Sequence, residues 1–298
     1  MQNLHDYCKF YLETYKKPFI KNSTYERYLS CMCHVPKFPL CEVSEEDIQM
    51  IINKLIALGR KTSTIKQVKI IIMQSLKRAK KQGIINQIDF DLILPKNSKV
   101  KVQALSSAEQ ELILHNLDLS FYGDMFFALM HSGCRCGELI ALTWSDVDFR
   151  NNVFHITKTD YNGHVGTPKT VDSFRDVPLH PDLRMQLLKK YKVGKNGLVF
   201  RSTLGTAVNY HSLLDAWHRY LDLLNLPRHG LHVLRHTFAT NALSSGMNYK
   251  ILSKILGHGS VAVTMDIYCD ILEEDKQRAM LAMSEHAAEW SKKKAWSF

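Results

Sequence analysis

The chain has 298 residues, 45% of them apolar, enough for two domains with cores of ordinary size. No stretch approaches the roughly 18 to 20 consecutive apolar residues of a membrane span, and the polar N-terminus lacks the layout of a signal peptide, so the sequence reads as soluble and cytoplasmic. Seven cysteines at scattered spacings, without a C-x-x-C pair, argue against a disulfide framework and offer little for structural zinc.

The net charge of +10 is unevenly spread. Residues 1–100 hold 17 Lys/Arg against 9 Asp/Glu, and residues 48–88 hold nine bases and no acid. Such a segment repels itself unless an anion lies against it. Nucleic acid is the expected partner, bound through phosphate neutralisation and counterion release. The competing reading, a solvated basic face, is weakened by the lack of interleaved acids.

In chain order, Asn22-Ser23-Thr24 offers an N-cap for a helix over 25–33. Ser44 caps a second helix with acids in its first turn, and Ile48, Ile51, Ile52 and Leu55 recur at helical spacing until Gly59. Ser63 or Thr64 caps a third, in which Ile65, Val68, Ile72, Leu76 and Ala79 form a buried stripe. Lys66, Lys69, Lys77 and Lys80 lie beside that stripe, and Lys61 precedes it. This helix can therefore pack on its own domain and present lysines to DNA. Its amino end directs backbone N–H groups outward, which suits a phosphate.

Residues 94–103, with one proline and three lysines, have no packing pattern and read as a linker. Ser106 then caps a new helix. Residues 124–131 read as a buried helix and 138–142 as a short one. Residues 153–157 have strand character, Asn162-Gly163 is a turn signal, and 175–179 close a small sheet. Helices dominate from 181 to 290.

Three segments carry chemistry. His232 and Arg235, three apart, share one face of a helix, and an imidazole beside a guanidinium suits an anionic site. Gly257 permits a tight turn that presents His258, with Tyr268 ten residues on. Upstream, Ser132-Gly133-Cys134-Arg135-Cys136-Gly137-Glu138 places Arg135 near a helix start. Each alone has a bland reading: a surface arginine, a half-buried tyrosine.

In this order and context the segments resemble the tyrosine recombinase (phage integrase) family, over roughly residues 105–270. The resemblance puts Arg135 and Arg235 in the catalytic arginine positions, His232 and His258 beside them, and Tyr268 in the nucleophile position. Thr167-Pro168-Lys169-Thr170, followed by Ser173 and Arg175-Asp176-Val177-Pro178-Leu179, looks like the pattern of mobile-element integrases and marks Lys169 as the catalytic lysine. Lys158 is the competing lysine and, with Arg175, a candidate DNA contact.

The implied fold is mainly α with a small antiparallel β-sheet in the second domain, arranged as a two-domain DNA clamp. Its parts are a helical core-binding domain over 1–95, a linker over 96–104, a catalytic domain over 105–284 and a tail over 285–298. The implied partners are double-stranded DNA at the crossover site and three further copies of the chain, a homotetramer on two duplexes. Accessory DNA-bending or directionality proteins would also fit. No cofactor or metal is implied, and the localisation would be nucleoid-associated. The chain begins almost at the core-binding helices, so contact is expected only around the crossover site. Trp296 and Phe298 would anchor the tail on a neighbouring subunit.

The residue types also make chemical sense without a family. A phosphodiester transition state gathers charge on its non-bridging oxygens, which two arginines can clamp. A phenol with an ordinary pKa near ~10 needs a base and a favourable field to attack, which His232 can supply. Lys169 is the candidate acid for the leaving 5′-oxygen, and His258 a donor to the phosphate. The competing functions are a Xer-like dimer resolvase, a type IB topoisomerase-like enzyme, and a non-catalytic DNA-binding regulator.

Overall fold

The computed structural model describes residues 3–86, 88–96, 104–161, 163–166, 174–193, 196–267 and 280. The chain divides into two compact units, residues 1–100 and 101–298. Lys169, Tyr268, most of the expected linker and the expected tail lie outside the described residues.

The first unit is helical: α1 (Leu4–Tyr11), α2 (Asn22–Cys31), α3 (Glu45–Ala57) and α4 (Thr62–Lys81). Ser44 caps α3 as expected. Its Oγ accepts the Asp47 N–H at 3.2 Å while the Asp47 carboxylate accepts the Ser44 N–H at 3.0 Å, a reciprocal capping box. Gly59, at φ +63, closes the far end, where Arg60 N–H bonds Leu55 O and Gly59 N–H bonds Ile56 O.

The other two starts differ from expectation. Both α2 and α4 open one turn early, behind an extended Lys21 and an extended Lys61 with no side-chain cap. Asn22, Ser63 and Thr64 therefore sit inside first turns and do not cap. The α4 stripe is as expected: Ile65, Val68, Ile72, Leu76 and Ala79 are each at most 1% exposed, packed with Leu4, Tyr7, Leu12, Ile48 and Ile52.

The second unit is mainly helical with a small antiparallel sheet. Its helices are α5 (Ser107–His115), α6 (Gly123–Ser132), α7 (Cys136–Ile140), α8 (Pro181–Val193), α9 (Tyr210–Leu223), α10 (His232–Ser244), α11 (Tyr249–Leu256) and α12 (Val261–Ile267). Strands β1 (Val147–Asp148), β2 (Val153–Ile156) and β5 (Arg175–Pro178) form one sheet in the order β1-β2-β5, and β3 (Thr159–Tyr161) pairs with β4 (His164–Gly166) as a hairpin. Phe154 opposes Val177 across β2 and β5, and both face the core. That core includes Phe126, Leu129, Trp217, Tyr220 and Leu234, so the central α6 and α10 are held side by side. No helix among the described residues is long and apolar enough to cross a membrane.

Candidate active site

The site gathers around the carboxyl end of α11. Gly257, at φ +65, turns the chain out of the helix, with Gly257 N–H bonded to Lys254 O and His258 N–H to Ser253 O, both at 3.1 Å. This closure leaves the next three carbonyls, of residues 255 to 257, for other donors.

Three arginines from three elements take them. Arg175 at the start of β5 donates Nε–H to Ile255 O at 2.5 Å. Arg235 on α10 donates from Nη2 to Leu256 O at 2.8 Å and from Nη1 to Gly133 O at 2.9 Å. Arg135, at the N-cap of α7, donates from Nη2 to Gly257 O at 3.0 Å. Cations at a helix carboxyl end meet the negative pole of its dipole.

Glu138 ties two of these arginines together. It sits at the third position of α7 and accepts from Arg135 N–H (2.8 Å), Arg135 Nη1 (2.9 Å), Arg175 Nη1 (3.0 Å) and Arg175 Nη2 (2.8 Å). Its side chain is 1% exposed, that of Arg175 6% and that of Arg135 38%. Burial opposes ionisation of Glu138, but Arg175 and Arg135 outweigh it and hold the carboxyl below its usual range. Gly137 lets α7 approach β3, since a Cβ there would lie 2.5 Å from Asp160 O.

Three imidazoles border the arginines. His258 Nδ1 lies 2.8 Å from Thr264 Oγ1 on α12, which fixes its ring. His232 and His236, one turn apart on α10, meet edge to face at 4.6 Å. All three are pushed down to about 4, first by burial, then for His232 by His236, Arg235 and Arg135, and for His258 by Arg235, Arg135 and Arg175. His232 is itself an exposed residue, so a neutral imidazole is accessible there at neutral pH. Burial likewise lowers Arg235, which is 3% exposed, to about 10, with Arg135 adding to the effect.

Four of the expected catalytic residues, Arg135, Arg235, His232 and His258, thus come together. The structure gives partners to two of the expected DNA contacts. Arg175, expected at the DNA, is corrected: its guanidinium is buried against Glu138 and the α11 end. The Lys158 ammonium pairs with Asp146 (2.8 Å) and lies 3.0 Å from Thr143 Oγ1. In the first unit, Lys61, Lys77 and Lys80 are exposed. Lys66 and Lys69 are half-buried, with Lys69 Nζ 3.5 Å from Leu92 O. The carbonyls of residues 255–257, which accept from the arginines, carry no signal in residue type. No group of three His, Cys, Asp or Glu among the described residues is placed to hold a metal ion.

A cluster of arginines and imidazoles gathers around a helix end on a mainly helical unit with a small sheet, an arrangement chemically suited to an oxyanion. Residues 103–275 match the phage integrase family, and the chain belongs to that family, the tyrosine recombinases, enzymes that cleave and rejoin DNA. It is 26% identical over 274 residues to a XerC-like tyrosine recombinase of Caldanaerobacter subterraneus subsp. tengcongensis, covering 80% of this chain and 70% of that one. It is 27% identical over 209 residues to the transposase of transposon Tn916 from Enterococcus faecalis, covering 61% of this chain and 52% of the transposase, about half its length. In fold it is similar to the Tn1549 transposon integrase solved with a circular intermediate DNA, at a TM-score of 0.79 and 20% identity, over 94% of this chain and 100% of that one.

Proposed function

We propose that this chain is a site-specific recombinase that integrates and excises a mobile genetic element through a 3′-phosphotyrosine intermediate. The observation that carries the reading is the convergence of Arg135, Arg235, His232 and His258 at one helix end. Each guanidinium has five N–H donors, and the bonds above engage two from each of these arginines. Both can then clamp the non-bridging oxygens of the scissile phosphate while anchored by carbonyls.

Tyr268 follows α12, the helix that orients His258. Its Oη attacks phosphorus, its proton passes to the neutral His232, and the P–O5′ bond breaks. Lys169 protonates the departing 5′-oxygen. Lys158 is less suited to that task because Asp146 holds its ammonium. The phosphotyrosine conserves the bond energy, so a 5′-hydroxyl from another strand can reverse the step. Exchange of two duplexes requires four nucleophiles, hence a homotetramer, with residues 1–95 as the core-binding domain and the exposed lysines of α4 on the DNA backbone.

The mobile-element reading draws on the Tn916 and Tn1549 likenesses and on the Pro168-Lys169-Thr170 pattern. A dimer resolvase is the second reading, favoured by the longer alignment with the XerC-like relative. A nicked suicide duplex carrying the crossover site tests the chemistry. Wild type should form a covalent protein–DNA adduct and Tyr268→Phe should not. An adduct that survives in Tyr268→Phe refutes the nucleophile. Excision of a circular element, as opposed to resolution of a plasmid dimer, separates the two readings.

A further inference from the structure

We infer that Arg175 is a positioning residue for strand cleavage, tying the carboxyl end of α11 to the buried Glu138 and thereby aligning Arg135 and His258. The inference rests on the reading of Arg135, Arg235 and His258 as phosphate ligands.

Arg175 sits between two things that must keep register. On one side its Nη1 and Nη2 donate to both oxygens of Glu138, the carboxylate that also holds the Arg135 backbone and guanidinium. On the other its Nε donates to Ile255 O, three residues before His258. The Gly257 turn lies directly against it, and a Cβ there would be 2.9 Å from Arg175 Nη1. With its side chain 6% exposed, Arg175 acts through these neighbours.

Only a guanidinium can do this from one position. Its planar fork pairs with both carboxylate oxygens while the third nitrogen points elsewhere. A lysine ammonium is a single centre and reaches Glu138 or Ile255 O, not both in this geometry. Substitution with lysine would keep the charge but uncouple α7 from the α11 end. Duplex binding is spread over many phosphates and would change little. Cleavage depends on the placement of Arg135 and His258 at one phosphate, where a misplacement of about 1 Å can cost about 100-fold.

The test uses the full chain as wild type, Arg175→Lys and Arg175→Met, on the nicked suicide duplex under single-turnover conditions. DNA affinity is titrated alongside. A second duplex carries a methylphosphonate at the scissile position, whose neutral centre depends less on an aligned arginine clamp. Arg175→Lys should slow adduct formation about 10- to 100-fold on the phosphodiester, with affinity within about twofold of wild type. The penalty should shrink to about threefold or less on the methylphosphonate.

Cleavage of the phosphodiester by Arg175→Lys within about twofold of wild type overturns the inference, and so does an equal penalty on both substrates, the mark of a packing role alone. If Arg175→Met fails to fold, the lysine variant still decides. A wild type that forms no adduct overturns the reading of the whole site and this assignment with it. An active wild type matched by Arg175→Lys overturns this assignment only.

Discussion

Replacing Glu138 by Gln should cost the C-terminal unit about 3–5 kcal/mol of stability, the range for breaking a buried ion pair on one side. The figure follows from the bonding. Glu138 accepts four hydrogen bonds from Arg135 and Arg175, two on each oxygen, and is 1% exposed. A glutamine keeps one oxygen and turns the other into an NH2 that faces donors. Two bonds to charged or capping groups are lost, each worth about 1.5–3 kcal/mol when charge-assisted, which brackets the same range. The Arg175 guanidinium also loses its charged partner. Set against a typical domain stability of about 5–15 kcal/mol, the variant should still fold. Urea titration followed by circular dichroism at pH 7 measures the shift. The pH dependence supplies a second check. The folded pKa of Glu138 is held below its ordinary 4.5, so its contribution is fully present above that value and is lost as pH falls through the folded pKa. The gap between wild type and Glu138→Gln should be complete at neutral pH and close in acid. A loss under about 1 kcal/mol at pH 7, or a gap that persists unchanged in acid, would refute the shared-carboxylate account.

The base assigned to His232 predicts where cleavage fails in acid. Desolvation, then His236, Arg235 and Arg135, lower it to about 4, so the imidazole is already neutral at pH 6.5, its ordinary value. The acid limb of kcat/KM for adduct formation should fall near pH 4; a midpoint near the ordinary value would refute the depression of His232, and no loss of the limb in His232→Gln would remove it from that role. On α4, Lys77→Ala and Lys80→Ala should each reduce the slope of log affinity against log salt by about 1, since each removes one phosphate contact. Lys69→Ala should change it less, because its ammonium leans toward the Leu92 carbonyl. Unchanged slopes in Lys77→Ala and Lys80→Ala would leave α4 facing solvent instead of DNA.

What could be read in the sequence was what neighbours along the chain decide. The Ser44 cap depends on residue type just before a helical pattern, and the α4 stripe on a spacing of three and four, so both were legible. The starts of α2 and α4 were not, because an extended lysine with no capping side chain leaves no signal in residue type. His232 and Arg235 could be paired because one helix turn joins them. Arg175 could not be placed. It stands six residues after Lys169 and looks like one more cation for the DNA, but its partners lie 37 residues earlier at Glu138 and 80 later at Ile255. Only the packing of β5 against α11, with the Arg175 side chain reaching Glu138 on α7, brings them together.

That packing also explains why carbonyls, and not more carboxylates, hold the arginines. Three guanidiniums converge on the α11 end, and two of them share Glu138. A carboxylate at each anchor would fix the side chains more firmly but would neutralise them. A helix carboxyl end offers aligned dipoles with no net charge. It orients Arg235 without neutralising it, whereas Arg135 also pairs with Glu138, and the depression of Arg235 to about 10 reflects burial together with the nearby Arg135. Burial first, and then the neighbouring cationic side chains, keep His232 and His258 neutral. Under the proposed function, a scissile phosphate beside these arginines would meet this positive field, which favours charge on the phosphorus oxygens.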